Sequence, residues 1–344
     1  MDRSAPFETP TGVSADTIPA MRNRQSARRH WRPRIAAQDS ARYALEEMPL
    51  FGMRSIDTLS SLLRVSTADL RMLCRHPTYG ETRVFQPSQN KSRVLDAPTF
   101  KTLQLHYRLF ELLDRVQRPA FLHSATKGRS YVTNAAAHAG HVPVATMDLK
   151  RFYESTTVVH VMSLFRDTLQ MANDLARLLT TLCTVHGHLP MGSPLSPLMS
   201  YFVHRDLFSE VAEVCAAKQI TMTLYYDDLA FSGTHASLGL LTAVAQLVSR
   251  RGLAAPADRF RVFSAADIKM VTGVAIHGHQ LKLSDAQHQG ILSDIRDFGG
   301  ATPKEKATLR RRLEGRIAAA HSVDPVLTVE LRRLLRDARI ASPS

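Results

Sequence analysis

Cysteine is scarce and scattered. Cys74, Cys183 and Cys215 stand alone in 344 residues, an odd number with no C-x-x-C pair and no zinc-ligand spacing. A disulfide framework and a zinc ribbon are excluded, and buried thiols in a reducing cytoplasm are expected. Long apolar runs are also missing. None reaches the ~20 residues that cross a bilayer. The stretch MDRSAPFETPTG has no apolar core of the signal-peptide kind, so no membrane partner is expected. Acids are in deficit, 31 against 44 lysines and arginines, for a net charge of +13. Such a surface attracts polyanions, nucleic acid or anionic membrane, and charge alone does not choose between them.

Against these absences stands an ordinary apolar content of 44%, ample to bury a core and too high for a disordered chain. The length suggests about two structural units. Residues 1–45 read as a basic arm: Arg22 to Arg34 holds six arginines and no acid. It suits tracking of phosphates and equally suits a solvated tail.

The apolar spacing predicts two short helices over 55–75, the second capped by Ser66, and basic strands over 80–98. A long helix follows from residue 100, and a helix-like VTNAAAHAG begins at 132. VPVATMDL reads as a strand leading into a helical region. HGHLPMGSPLSP is a Gly/Pro loop opening a further helix. ITMTLYYDDLAFSG reads as a hairpin with acids at its tip. A helix over 238–251, strands around VTGVAIHGHQLKLS and a basic helical tail from about 285 complete an α+β pattern.

The chemistry concentrates in Tyr225-Tyr226-Asp227-Asp228. Adjacent acids in an apolar, strand-forming stretch repel each other and lose solvation, and a bound divalent cation removes that cost. Hard Mg²⁺ takes carboxylate oxygens and phosphates. Asp148, at the end of an apolar strand, supplies a third carboxylate. Two ions about 4 Å apart could then activate a hydroxyl and stabilise a leaving group. Taken singly, Asp148 reads first as a helix N-cap, and Asp227 with Asp228 could be an ordinary hairpin turn.

The order of these pieces carries a resemblance. MDLKRFYEST, HGHLPMGSPLSPLMS and LYYDDLAFSG resemble motifs A, B and C of reverse transcriptases, and KSRVLDAPTFKTLQ resembles their fingers segment. Asn134-Ala135-Ala136-Ala137-His138 fits the NAxxH signature of bacterial retron reverse transcriptases. Val271-Thr272-Gly273 fits their VTG signature, and the tail resembles their thumb. The likeness covers about residues 50–340.

The resemblance implies a right-hand polymerase: fingers with N-terminal helices over 46–145, palm and VTG region over 146–283, and a helical basic thumb over 284–344. It makes Asp148, Asp227 and Asp228 catalytic ligands of two Mg²⁺ ions. It gives dNTP contacts to Arg93, with Lys91 weaker, to Tyr153 as steric gate and to Gly192. It gives nucleic-acid contacts to Tyr225, Asn134, His138, Val271, Thr272, Gly273 and the thumb arginines Arg310, Arg311 and Arg312. For Asn134 and His138, a local structural role is an equal reading. Met191 replaces the family's usual glutamine. The lysine usual between motif C and VTG is missing, with Arg259 the nearest substitute.

The implied activity copies a cognate structured non-coding RNA into branched multicopy single-stranded DNA in an antiphage system. A separate effector protein and a host ribonuclease H are the further partners implied. A non-retron defence reverse transcriptase and an RNA-binding scaffold restraining an effector are the alternatives.

Overall fold

The structure, a computed structural model, describes residues 42–86 and 91–340. The arginine-rich stretch Arg22–Arg34 lies outside the described residues. The first helices are α1 (Ile56–Leu63) and α2 (Thr67–Arg75). Ser66 caps α2 as its sequence promises, its hydroxyl accepting the Asp69 N–H at 3.0 Å. Strands β1 (Tyr79–Gln86) and β2 (Lys91–Pro98) form an antiparallel pair in which Glu81 faces Asp96. Helix α3 (Phe100–Asp114) buries Leu105, Leu109, Leu112 and Leu113 on one face. The short α4 (Tyr131–Ala136) ends within the NAxxH segment, which the pattern had carried on as helix.

Strand β3 (Val144–Asp148) leads through α5 (Phe152–Ser155), α6 (Val158–Ser163), α7 (Asn173–Cys183), α8 (Ser196–Val203) and α9 (Arg205–Ala217) to the hairpin of β4 (Thr221–Tyr225) and β5 (Asp228–Ser232). Helix α10 (Leu238–Arg250) and β6 (Arg261–Phe263) follow, giving a sheet in the order β4-β5-β3-β6. A second sheet holds β7 (Lys269–Val271), β8 (Val274–His277) and β9 (Gln280–Leu283). Helices α11 (Asp285–Gly300), α12 (Pro303–His321) and α13 (Pro325–Ile340) complete the described chain.

Strand alternation makes the four-stranded sheet a divider between two cores. Ala145, Met147, Leu229 and Phe231 point into a core that runs from Leu45 to Leu253. Val144 and Ala230 point the other way, into a core shared with Val271, Val274, Ile276 and the apolar faces of α11–α13. The VTG strands, which the sequence reading grouped with 146–283, therefore share their packing with the C-terminal helices.

Candidate active site

The β3–β5 register pairs Asp148 with Asp228, and the β4–β5 register pairs Tyr225 with Asp228. Tyr226 and Asp227 form the two-residue turn between them, Tyr226 in left-handed backbone at φ 58°. The main chain fixes that turn to the end of β3, because Leu149 N–H donates to the Asp227 carbonyl at 2.9 Å. Sheet register thus brings Asp148 to the adjacent pair Asp227–Asp228, which is far from it in sequence. Burial first, then Asp227 and Asp148, push the Asp228 carboxyl up to about 7, against a downward pull from Arg259. An all-oxygen donor set with such clustered like charge fits a hard divalent cation. Arg259 forms an ion pair with Asp148. The sequence offered Arg259 only as a stand-in for a missing lysine, and its partner was not legible.

Asp148, Asp228, Tyr225, Arg259 and Thr146 line a cavity of ≈ 290 Å³ together with Met270 to Gly273. Thr272 (φ 47°) and Gly273 (φ 79°) are the central residues of the β7–β8 hairpin. A type I′ turn needs two left-handed residues, which explains a glycine there. Thr272 and Gly273 are therefore brought to the carboxylates, whereas the Val271 side chain is buried beneath them.

Tyr153 packs beside the same turn. Burial, with Asp227, Tyr226 and Tyr225 nearby, holds its hydroxyl pKa well above the ordinary 10. The Tyr225 ring meets Tyr226 edge-on at 4.7 Å between centroids. Arg93 lies on β2 opposite Val84. Gly192 touches the same strand. Its N–H donates to the Asp96 carbonyl at 2.7 Å. A Cβ added there would meet Ala97 Cβ and that carbonyl, each at 2.7 Å, so backbone packing already demands this glycine.

Next in this loop, Ser193 is fastened by a residue that sequence reasoning missed. His106 Nδ1 lies 2.7 Å from Ser193 Oγ, and Nε2 lies 2.8 Å from the Leu182 carbonyl. A carbonyl only accepts, so Nε2 carries the proton and Nδ1 accepts from the serine. The one available signal was a histidine within the apolar stripe of α3.

Two expected nucleic-acid contacts are corrected by burial. His138 is 1% exposed and Asn134 fully buried, so neither side chain reaches a bound strand. His138 instead clamps the β4–β5 hairpin from behind, Nδ1 at 2.8 Å from Ser232 Oγ on β5 and Nε2 at 2.7 Å from Thr223 Oγ1 on β4. Asn134 reaches the VTG turn.

Among the C-terminal arginines, Arg310 pairs with Glu314 on its own helix at 2.8 Å. Arg312 grips the buried Asp294 of α11 (Nε to Oδ2, 2.9 Å), and Arg316 joins it at 2.7 Å. Arg312 thus helps hold α11 to α12, while Arg311 is exposed. Next to the Gly192 loop, ligand atoms of Glu81 and Asp96, which pair across β1 and β2, and of His186 lie within 4.8 Å of one another. No helix among the described residues is long and apolar enough to cross a membrane.

No family model matches the sequence. Curated relatives do. The chain is 23% identical to the Retron Se72 reverse transcriptase of Salmonella heidelberg over 300 residues, covering 82% of this chain and 79% of the relative. It is 26% identical over 321 residues to the Retron Mx65 reverse transcriptase of Myxococcus xanthus, covering 86% and 74%. With the Retron Ec86 reverse transcriptase of Escherichia coli the identity is 22% over 262 residues, covering 74% and 81%. These matches bear out the resemblance that the motifs carry.

Proposed function

We propose that this chain, related over most of its length to retron reverse transcriptases, is an RNA-directed DNA polymerase. One observation carries the reading: Asp148 faces Asp228 across β3 and β5, with Asp227 in the adjoining turn. The reaction is nucleotidyl transfer, in which a primer hydroxyl attacks the α-phosphate of a dNTP and pyrophosphate leaves. Two Mg²⁺ ions held by these three carboxylates would supply Lewis acidity to the attacking and leaving oxygens.

The chain's own residues select and position. Tyr153 fills the space beneath the sugar and disfavours a 2′-hydroxyl. Arg93 offers a planar fork for the triphosphate. Gly192 and Ser193 seat their loop on β2 and on His106, keeping it next to the strand that carries Arg93. Tyr225, Thr272 and Gly273 border the reacting ends. Residues 46–145 act as fingers, 146–283 as palm and 284–344 as thumb, with 1–45 as a basic arm. Arg310 and Arg311 supply salt-sensitive affinity for nucleic acid.

By kinship, the template is a cognate structured non-coding RNA and the product branched multicopy single-stranded DNA. A separate effector protein and a host ribonuclease H complete the system, which serves antiphage defence in the cytoplasm. Three buried free cysteines fit a reducing compartment.

Primer extension and gel shift, run in parallel on the wild type and on Asp227→Asn plus Asp228→Asn, test the polymerase. Mg²⁺-dependent extension should vanish while RNA binding persists; undiminished extension overturns the assignment. Sequencing of copurified nucleic acid tests the retron reading, which expects one structured RNA joined to DNA. Unrelated RNAs without joined DNA favour the non-retron alternative.

A further inference from the structure

Asp148 has neighbours of opposite sign on its two sides. Across β5 it meets Asp228. On the other side, β3 pairs with β6 as Val144↔Phe263, Ala145↔Val262 and Thr146↔Arg261. The ladder ends there: Arg259 stands just before β6, at the end of a single 3-10 turn (Ala257–Arg259) that packs against β3. The guanidinium Nη1 of Arg259 donates to Asp148 Oδ1. The turn that leads into β6, rather than the ladder itself, brings this cation to the carboxylate.

Arg259 and Asp148 are each a little over one-third exposed and line the same cavity beneath the Thr272–Gly273 turn. A guanidinium held against one of three clustered carboxylates offsets like charge when no metal is bound. It also occupies Oδ1, one of the two oxygens through which Asp148 would hold an entering ion. Its neighbour Arg261 differs. That guanidinium donates to the Asp258 and Phe260 carbonyls, each at 2.7 Å, and so braces the backbone.

We propose that Arg259 is a resident counter-ion of Asp148 that a divalent ion displaces when it loads the site. The proposal rests on the reading of Asp148 as a metal ligand. Displacement leaves the guanidinium at the cavity wall, free to face an anionic group of the substrate. Arg259 is a positioning residue in this scheme: it governs access to Asp148.

The test is Mn²⁺ binding to the purified full-length chain, without nucleotide or nucleic acid, followed by the loss of the free-ion electron paramagnetic resonance signal. The variants are Arg259→Gln, Arg259→Lys, Arg261→Gln, Asp148→Asn, and Arg259→Gln combined with Asp148→Asn. Thermal melts confirm that each is folded. Arg259→Gln should bind Mn²⁺ tighter by about fivefold, the scale of a half-exposed ion pair. Arg259→Lys should fall between it and the wild type, and Arg261→Gln should shift affinity by less than about twofold. With Asp148 already replaced, Arg259→Gln should give no gain. Equal tightening by Arg259→Gln and Arg261→Gln reduces the effect to diffuse charge and overturns the proposal. Weaker binding by Arg259→Gln also overturns it, because Arg259 then orders the ligand instead of competing for it. Wild-type binding that does not depend on Asp148 sinks the metal-ligand reading beneath both.

Discussion

Asn134 donates its side-chain amide to the hydroxyl of Thr272 at 3.4 Å, joining two signature segments 138 residues apart. The Thr272 hydroxyl in turn donates to the Tyr131 carbonyl at 3.0 Å. The buried Lys269 reaches across the same junction, donating to the Gly140 carbonyl at 2.6 Å. One short segment, 131–140, therefore touches the VTG hairpin on one side and, through His138, the β4–β5 hairpin on the other. Both signatures are internal joints that set where the carboxylates stand relative to the Thr272–Gly273 turn.

The Asn134–Thr272 contact should carry measurable coupling. Thr272→Ala removes two hydrogen bonds and leaves a buried amide and a backbone carbonyl without these partners, for an expected loss of about 1–3 kcal/mol. Asn134→Ala should cost a similar amount. Denaturant unfolding of both single variants and the double variant gives the cycle. The double variant should lose less than the sum; strict additivity would mean the contact contributes nothing.

Tyr153 should act as the sugar gate. Tyr153→Val opens space beside the Tyr226–Asp227 turn without removing a carboxylate. The preference for dNTP over rNTP should fall by about 10–100-fold. Single-nucleotide incorporation on an RNA template reads this directly. A variant that still extends DNA with unchanged selectivity would move the gate elsewhere.

Three buried histidines should make the fold acid-sensitive. Burial pulls His106 and His138 down to about 4 and His204 to about 3, from an ordinary 6.5. The unfolded chain takes up their protons as pH falls below 6.5, while the folded chain resists until its own lower values. Stability is thus fully present above pH 6.5 and drains away between 6.5 and about 4 for His106 and His138, and down to about 3 for His204, on the order of 3 kcal/mol per histidine. His138→Gln keeps hydrogen-bonding capacity but cannot titrate. It should flatten the decline in denaturation midpoint between pH 7 and pH 4.5; a slope identical to wild type would refute the assignment.

The raised Asp228 carboxyl predicts the opposite sense. The folded protein holds this proton up to about 7, whereas the free carboxyl releases it near 3.8. Stability of the metal-free protein therefore falls as pH rises through that window. Asp228→Asn should raise metal-free stability at pH 8 on the order of 1–3 kcal/mol, and change little at pH 4. A gain at pH 8 alongside lost extension would mark a residue kept for function at a cost in stability. Destabilisation at pH 8 would count against the clustered-charge account.

Local chemistry was legible in the chain. The β-rich run around Asp227 and Asp228 specifies a hairpin, Ser66 specifies a helix start, and the order of Asp148, Gly192 and the paired acids carries the polymerase resemblance. Each of these depends on a few consecutive residues, or on the order of short motifs. Tertiary structure alone decided the rest. It buried Asn134 and His138, set Gly192 against Ala97, committed Arg312 to Asp294, and put Arg259 beside Asp148 from 111 positions away. The physical reason is packing. A strand's alternation says which residues share a face, but its alignment with a distant strand depends on how two cores pack on opposite faces of one sheet. That packing is a property of the whole chain, and no short stretch of sequence encodes it.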